Sequence, residues 1–202
     1  MFIPPMDEVQ ILKNSDKRSE IIRSALELIA EHGFHGAPMS MIAEKAGVGA
    51  GTIYRYFESK DALIGELYRN VEEKIIAAIQ MGYSEEQPLR ERFLHLGTAL
   101  LRFFIDHPLY FRYMEQYHNS PYGISLRRDR MMRKDDNTSM FVDIFEQGIA
   151  HKVLKDFPLH VLFPLALGPM ILVMRDHTLA HVVLDEGLIR QLVEACWDGI
   201  KM

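Results

Sequence analysis

Apolar positions recur along this chain at helical spacing, in runs that stop and restart at glycine and proline. Ile22, Ala25, Leu26 and Ile29 form one stripe, which predicts a helix opened by Asn14 or Ser15 and running to about His32. Gly33 ends it, and His35-Gly36-Ala37-Pro38 reads as a loop. Residues 1–14 carry no such pattern and are expected to be a flexible tail. Ile42, Ala43 and Ala46 then give a short helix one apolar side, and Gly47 follows where a helix stop favours a residue tolerant of positive φ. Val48 fills the gap before a second short helix, in which Ile53 and Phe57 stand four apart and face inward. Thr52, Tyr54, Arg55 and Tyr56 are left to meet something outside.

The later runs are longer. Ser59 caps a helix in which Leu63, Ile64, Leu67, Val71, Ile75, Ala78 and Ile79 keep the period, and Gly82 closes it. Pro88 suits the first turn of a helix reaching Ile105, with Phe93, Leu96, Leu100, Phe103 and Phe104 apolar. Pro108 starts another to about His118, which Ser120-Pro121-Tyr122-Gly123 breaks. Leu126 to Lys134 reads as a short, basic surface helix. Asn137 or Thr138 opens a helix through Phe141, Ile144, Phe145 and Ile149. Asp156 begins an apolar segment expected to reach about Val182, and Asp185 begins the last helix, with Leu188, Leu192, Val193, Ala195 and Cys196 on its apolar side. No strand pattern, internal repeat or low-complexity stretch interrupts the series. The fold class is therefore all-α.

At 202 residues, with 48% hydrophobic and 25% charged, the chain has the composition of a globular protein with a substantial core. Its single cysteine, Cys196, excludes an internal disulfide and a multi-cysteine zinc site and fits a reducing cytoplasm. The N-terminus has neither a basic nor an apolar region of the kind a signal peptide needs. The longest uncharged run, Val161 to Met174, is shorter than a membrane span and contains Pro164, Gly168 and Pro169, so it is expected to be a buried helix, with no membrane partner. Those prolines either reflect packing or open space for a ligand.

Two short helices joined by a glycine-containing turn make a helix-turn-helix, whose second helix enters the DNA major groove. The amides of Ala50 and Gly51, with Thr52, lie where a helix start can receive a phosphate. Gly51 lets a backbone or a thymine methyl approach closely. Tyr54 and Tyr56 can reach phosphate oxygens, although Tyr56 can equally pack inward. Arg55 can grip guanine bidentately or clamp a phosphate, and Lys60 suits a phosphate contact. Against this, the net charge is −5, and residues 1–60 hold seven basic against eight acidic residues. That balance argues against indiscriminate attraction to phosphates, though not against a few well-placed cations.

Ile42-Ala43, Ala46-Gly47-Val48 and Gly51-Thr52-Ile53-Tyr54-Arg55-Tyr56-Phe57, followed by Ser59-Lys60 and Leu63, closely resemble the signature of TetR-family transcriptional regulators. The resemblance covers roughly residues 15 to 80. It supports DNA contacts at Gly51, Thr52, Tyr54 and Lys60. It also implies a helix-turn-helix DNA-binding domain over 15–60, a connecting helix over 60–82, and an effector-binding and dimerisation domain over 61–202. Family members often have Ser and Lys where this chain has Gly49 and Ala50, and Thr-Thr where it has Pro38-Met39. A hydroxyl cap and one phosphate-binding cation are thus missing. Ser40 is expected to substitute for the cap, and backbone anchoring to be weaker than is usual.

The family's helical body encloses an effector pocket. The aromatic set here is Phe103, Phe104, His107, Tyr110, Phe111, Tyr113, Met114, Tyr117, Phe141, Phe145 and Met170, and part of it is expected to line such a pocket around a small, largely apolar effector. His107, Tyr110, Tyr117 or His118 would supply polar handles. The resemblance further implies a cytoplasmic homodimer paired through the last two helices, most simply a repressor of a near-palindromic duplex operator. No cofactor is called for. His177 and His181 stand at i, i+4 but have no completing ligand in sequence, and a structural or solvent-exposed pair is the expectation. Gly47, Gly49 and Gly51 follow no strand and precede no Gly-Lys-Ser/Thr, so they are not a nucleotide loop. No nucleophile–base pair suggests catalysis. The competing class is a helical ligand-binding or enzymatic protein of the same fold that has lost DNA binding, supported by the acidic balance and by alanine at position 50.

Overall fold

The computed structural model describes residues 8–132 and 140–202, with side chains described over 16–126 and 140–202. Among the described residues ten helices follow one another: α1 Glu8–His32, α2 Met39–Lys45, α3 Ala50–Tyr56, α4 Lys60–Gln80, α5 Leu89–Asp106, α6 Pro108–His118, α7 Pro121–Met132, α8 Met140–Ala150, α9 Leu159–Thr178 and α10 Glu186–Ile200. Among the described residues the only extended pairing is one antiparallel bridge, Leu154 with Lys201.

The chain divides into two compact units. The first takes the chain up to Glu72 together with Leu109–Arg127; the second takes Glu73–Pro108 and the chain from Arg128 onward. In the first, α1 packs on α2 and α2 on α3. Its core is Ile21, Ala25, Ile29, Ile42, Ile53, Leu63 and Leu67, each no more than 1% exposed. In the second, α5 and α9 pack against α10, and α8 against α5. There Phe93 sits among Phe141, Phe145 and Trp197 with ring centroids 6.1, 6.5 and 5.5 Å away.

Several boundaries differ from those expected. Helix α1 begins at Glu8, well before Asn14, because Glu8–Asn14 holds no glycine or proline to stop it. Helix α7 begins at Pro121 rather than Leu126. Ser120 supplies its start, its Oγ accepting from the Gly123 amide at 3.4 Å and its carbonyl from the Ile124 amide at 3.1 Å, and proline at a first helical position removes no needed donor. Helix α9 ends at Thr178, short of Val182. Ala180 adopts φ +58°, and the amides of Ala180 and His181 bond back to the His177 and Asp176 carbonyls at 3.0 and 2.9 Å. The expected opening residues of α8, Asn137 and Thr138, lie outside the described residues, as do residues 1–7 of the tail and Arg133 and Lys134.

Helix α9 is only partly the buried helix expected. Leu162, Ala166, Met170 and Met174 are buried, but Leu165 and Leu172 are 45% and 57% exposed, with exposed Pro169 between them at helical spacing. By length and composition it is the one described helix that could cross a membrane, and 22% of its most apolar window is buried.

Candidate nucleic-acid interface

The first unit displays α3 through a frame of short-range constraints. Helix α2 ends in a complete glycine cap. Gly47 takes φ +63°, its amide bonds the Glu44 carbonyl at 3.0 Å, and the Val48 amide bonds the Ala43 carbonyl at 2.9 Å. The chain turns and restarts at Gly49, whose carbonyl accepts from the Thr52 and Ile53 amides at 2.7 and 3.2 Å. Ile53 is fully buried and Phe57 2% exposed, so these two fix which face of α3 turns inward.

Opposite them, Tyr54 is 54% exposed, Ala50, Gly51 and Arg55 are exposed, and Thr52 and Tyr56 are half-buried. A Cβ at Gly51 would meet nothing within 4 Å, so nothing within the chain calls for glycine there. Helix α3 contains no acid, and Arg55 is its one charge. Neither α2 nor α3 carries a side-chain cap, since the preceding residues are Pro38 and Gly49. Ser40 therefore does not replace the missing cap. It is the second residue inside α2, past the position from which a side chain can bond the first free amides, and it is exposed.

Lys60 is half-buried at the start of α4, and its ammonium donates to the Phe34 carbonyl oxygen in the loop between α1 and α2. Burial draws its pKa below the usual lysine value, against an opposing pull from Asp61. Ser59 caps α4 by accepting from the Ala62 amide at 3.1 Å.

Two residues that hold this surface have no pattern in the sequence. Arg18 on α1 donates to the Tyr56 carbonyl at the end of α3 at 2.9 Å and to both carboxylate oxygens of Glu66 on α4, and its guanidinium lies 4.5 Å from the Phe57 ring centroid. One side chain thus ties together α1, α3 and α4. Its partners lie 38 and 48 residues away, beyond any periodicity. Phe34 is the other: a lone aromatic between glycines, whose ring lies 6.3, 6.4 and 5.3 Å from those of Tyr113, Tyr117 and Tyr122.

The aromatic set proposed for an effector divides between the units. Tyr110, Phe111, Tyr113, Met114, Tyr117 and His118 belong to the first, where Tyr117 stacks on Tyr68 at 4.2 Å. Phe103, Phe104, His107, Phe141, Phe145 and Met170 belong to the second. Of these, Phe104, Phe141, Phe145 and Met170 are buried in a close-packed core; a Cβ at Gly97 would come within 2.7 Å of Val193 and 3.2 Å of Met170. Phe103 and His107 instead line an open groove of about 1100 Å³, with Tyr83, His95 and Thr98 as polar neighbours and Leu94 and Ala99 as apolar ones. Buried Arg92 stands beside it, held by the Tyr83 hydroxyl, Gln147 and Asp143 at 2.8, 2.9 and 2.7 Å.

His177 Nδ1 lies 3.2 Å from both the Leu184 amide and the Val182 carbonyl, which makes it a fastener of the loop after α9, while His181 is exposed. Among the described residues no group of three or more His, Cys, Asp and Glu is placed to hold a metal. Burial pushes the Cys196 thiol up to about 11, although a backbone bond from Met170 opposes it, so the thiol is protonated at neutral pH.

Comparison with known proteins bears on both units. Residues 21–67 match the family model for bacterial regulatory proteins of the tetR family, and residues 88–201 match that for a tetracyclin repressor-like C-terminal domain. An uncharacterised HTH-type transcriptional regulator of Haemophilus influenzae is 23% identical over 93% of this chain and 97% of its own. A solved TetR-family regulator from Vibrio parahaemolyticus is 31% identical, with TM-score 0.72 over 92% of this chain and 99% of that one. The transcriptional regulator FadR from Bacillus subtilis, solved in complex with stearoyl-CoA, shares the fold at TM-score 0.72 and 19% identity, over 90% of this chain and 98% of its own. The second match alone spans more than half of the chain, and the first covers the glycine-capped turn and exposed α3, so the chain belongs to the TetR family of transcriptional regulators.

Proposed function

We propose that this regulator is a ligand-responsive repressor that binds a near-palindromic operator as a dimer and leaves it when a small, largely apolar effector binds. The observation that carries the DNA contact is the outward face of α3. Gly51, Tyr54 and Arg55 are exposed and Thr52 half-buried, while the same helix is anchored by fully buried Ile53. Each subunit would insert residues 51–56 into a major groove, with half-sites about 34–36 Å apart. Lys60 adds a phosphate contact, and Ser40 and the amides of Ala50 and Gly51 lie close enough in sequence to add others.

Dimerisation is assigned to α9 and α10. Leu165, Leu172 and Leu179 are exposed at seven-residue spacing along and just beyond α9, an apolar stripe that water would not tolerate bare. A second copy covers it best, because two such faces are self-complementary about a two-fold axis. For the effector, the groove beside α5 supports the reading: Phe103, Leu94 and Ala99 offer apolar wall, Tyr83, His95, Thr98 and His107 offer hydrogen bonds, and charged groups including Arg102, Asp106 and Glu186 also line it. FadR of Bacillus subtilis was solved with stearoyl-CoA on the same fold, so a long-chain fatty acid, the small apolar part of such a ligand, is the first effector to try, with its CoA thioester beside it. A ligand shifts the equilibrium only by its differential affinity, and coupling of about 1–3 kcal/mol is the usual scale.

The bare cap at Gly49 and the absence of a cation at position 50 favour one rival, a ligand-binding protein that has lost DNA binding. A gel shift on duplex DNA flanking the chain's own gene separates them. The wild type should form a complex, Tyr54→Ala should weaken it about tenfold or more, and Gly51→Leu should do likewise, both with unchanged melting temperature and dimer. A complex equally strong in both variants removes α3 as the reading element, and no complex with the wild type favours the rival.

A further inference from the structure

The loop between α1 and α2 follows a path its sequence fixes. Gly33 sits at φ +69°, and at Gly36 a Cβ would lie 2.4 Å from the His32 carbonyl oxygen, where no side chain fits. Phe34 is thereby presented in two directions. Its carbonyl receives the Lys60 ammonium, and its ring enters the cluster of Tyr113, Tyr117 and Tyr122 from α6 and α7. The same cluster reaches α4 directly, through the Tyr122 hydroxyl on Asp61 at 2.6 Å and the Tyr113 hydroxyl on the Ile64 carbonyl at 3.4 Å.

We propose that Phe34 is a positioning residue for DNA binding: its carbonyl holds Lys60 for a backbone phosphate, and its ring ties that hold to α6 and α7. This rests on the reading of Lys60 as a phosphate contact. A lysine ammonium has three donors, so one spent on the Phe34 carbonyl leaves two for phosphate oxygens. Holding it in advance removes the rotamer freedom a long side chain otherwise loses on binding. Asp61, the neighbouring acid, is meanwhile engaged by Tyr122. Burial, which lowers the Lys60 pKa, also means the ammonium has shed part of its water before DNA arrives. A displacement of α6 and α7 unseats the Phe34 ring, and each head loses a phosphate contact.

The test measures binding of the full-length dimer to a labelled duplex from upstream of its own gene by fluorescence anisotropy, between about 50 and 200 mM salt. Lys60→Gln should lower the slope of log K against log salt by about 0.9 per head, close to two per dimer. Phe34→Leu keeps an apolar group in the cluster and should lower the slope as much; the double variant should be no worse than Lys60→Gln alone. Tyr122→Phe keeps its ring but releases Asp61 to pair with Lys60, so it should also lower the slope, which keeps the test decisive if Phe34→Leu is unstable. A wild-type slope in both Phe34→Leu and Tyr122→Phe, or additive losses in the double variant, overturns the role of Phe34 and leaves the DNA-binding function standing. An unchanged slope in Lys60→Gln does the same. A wild type that binds no duplex overturns both.

Discussion

At the scale of single residues, left-handed backbone decides where helices stop. Gly47 adopts φ +63° without penalty, and the stop it makes was visible in the sequence because glycine marks it. Ala180 makes the same kind of stop after α9 at φ +58°, but with a Cβ that crowds the neighbouring carbonyl. An alanine carries no such mark, which is why the apolar pattern alone runs on toward Val182. The strain gives a prediction: Ala180→Gly should raise stability by about 1 kcal/mol, moving the melting temperature up by roughly 2–4 °C for a chain of this size. Calorimetry checks it, and a lower melting temperature would mean that the alanine is not strained. Gly51 is the converse case. It is exposed and its Cβ position is empty, so nothing within the chain requires its smallness.

At the scale of elements, α3 has seven residues, too few to hold its own shape in water. Its position comes from its buried side and from its ends. Ile53 and Phe57 supply the first, and both were legible from their spacing of four. Arg18 supplies the second, through the Tyr56 carbonyl and the Glu66 carboxylate, and was not legible, since a cation in a polar stretch of α1 looks like any solvated residue. The Arg18 side chain is 42% exposed, which discounts the ion pair, so Arg18→Gln should cost about 1 kcal/mol of stability. Its effect on operator binding should be larger in proportion, about tenfold, because the end of α3 loosens while the core remains. Paired denaturation and anisotropy titrations decide this; a fall in stability without one in affinity would show that Arg18 does not steer α3.

At the scale of the whole molecule, the protomer leaves an apolar face bare. Leu172 is 57% exposed in the middle of α9, where an isolated chain would gain by turning it inward. Leu172→Arg should convert the proposed dimer to a folded monomer in sedimentation velocity, with helical content unchanged and operator affinity strongly reduced as the second head is lost. A variant that stays dimeric would move the interface away from α9.

What the sequence determined by itself was local: an all-α chain, the order of its helices, most of their ends, and a helix-turn-helix with Ile53 inward and Tyr54 outward. Helical periodicity and glycine or proline stops act within a few residues, so they can be read along the chain. Only the tertiary structure decided which distant groups meet. It set Arg18 beneath α3, passed Phe34 between Lys60 and three tyrosines, and divided a single-looking aromatic set between two units. Those partnerships depend on how helices cross, and packing of many side chains at once fixes that crossing, where no spacing between neighbours records it.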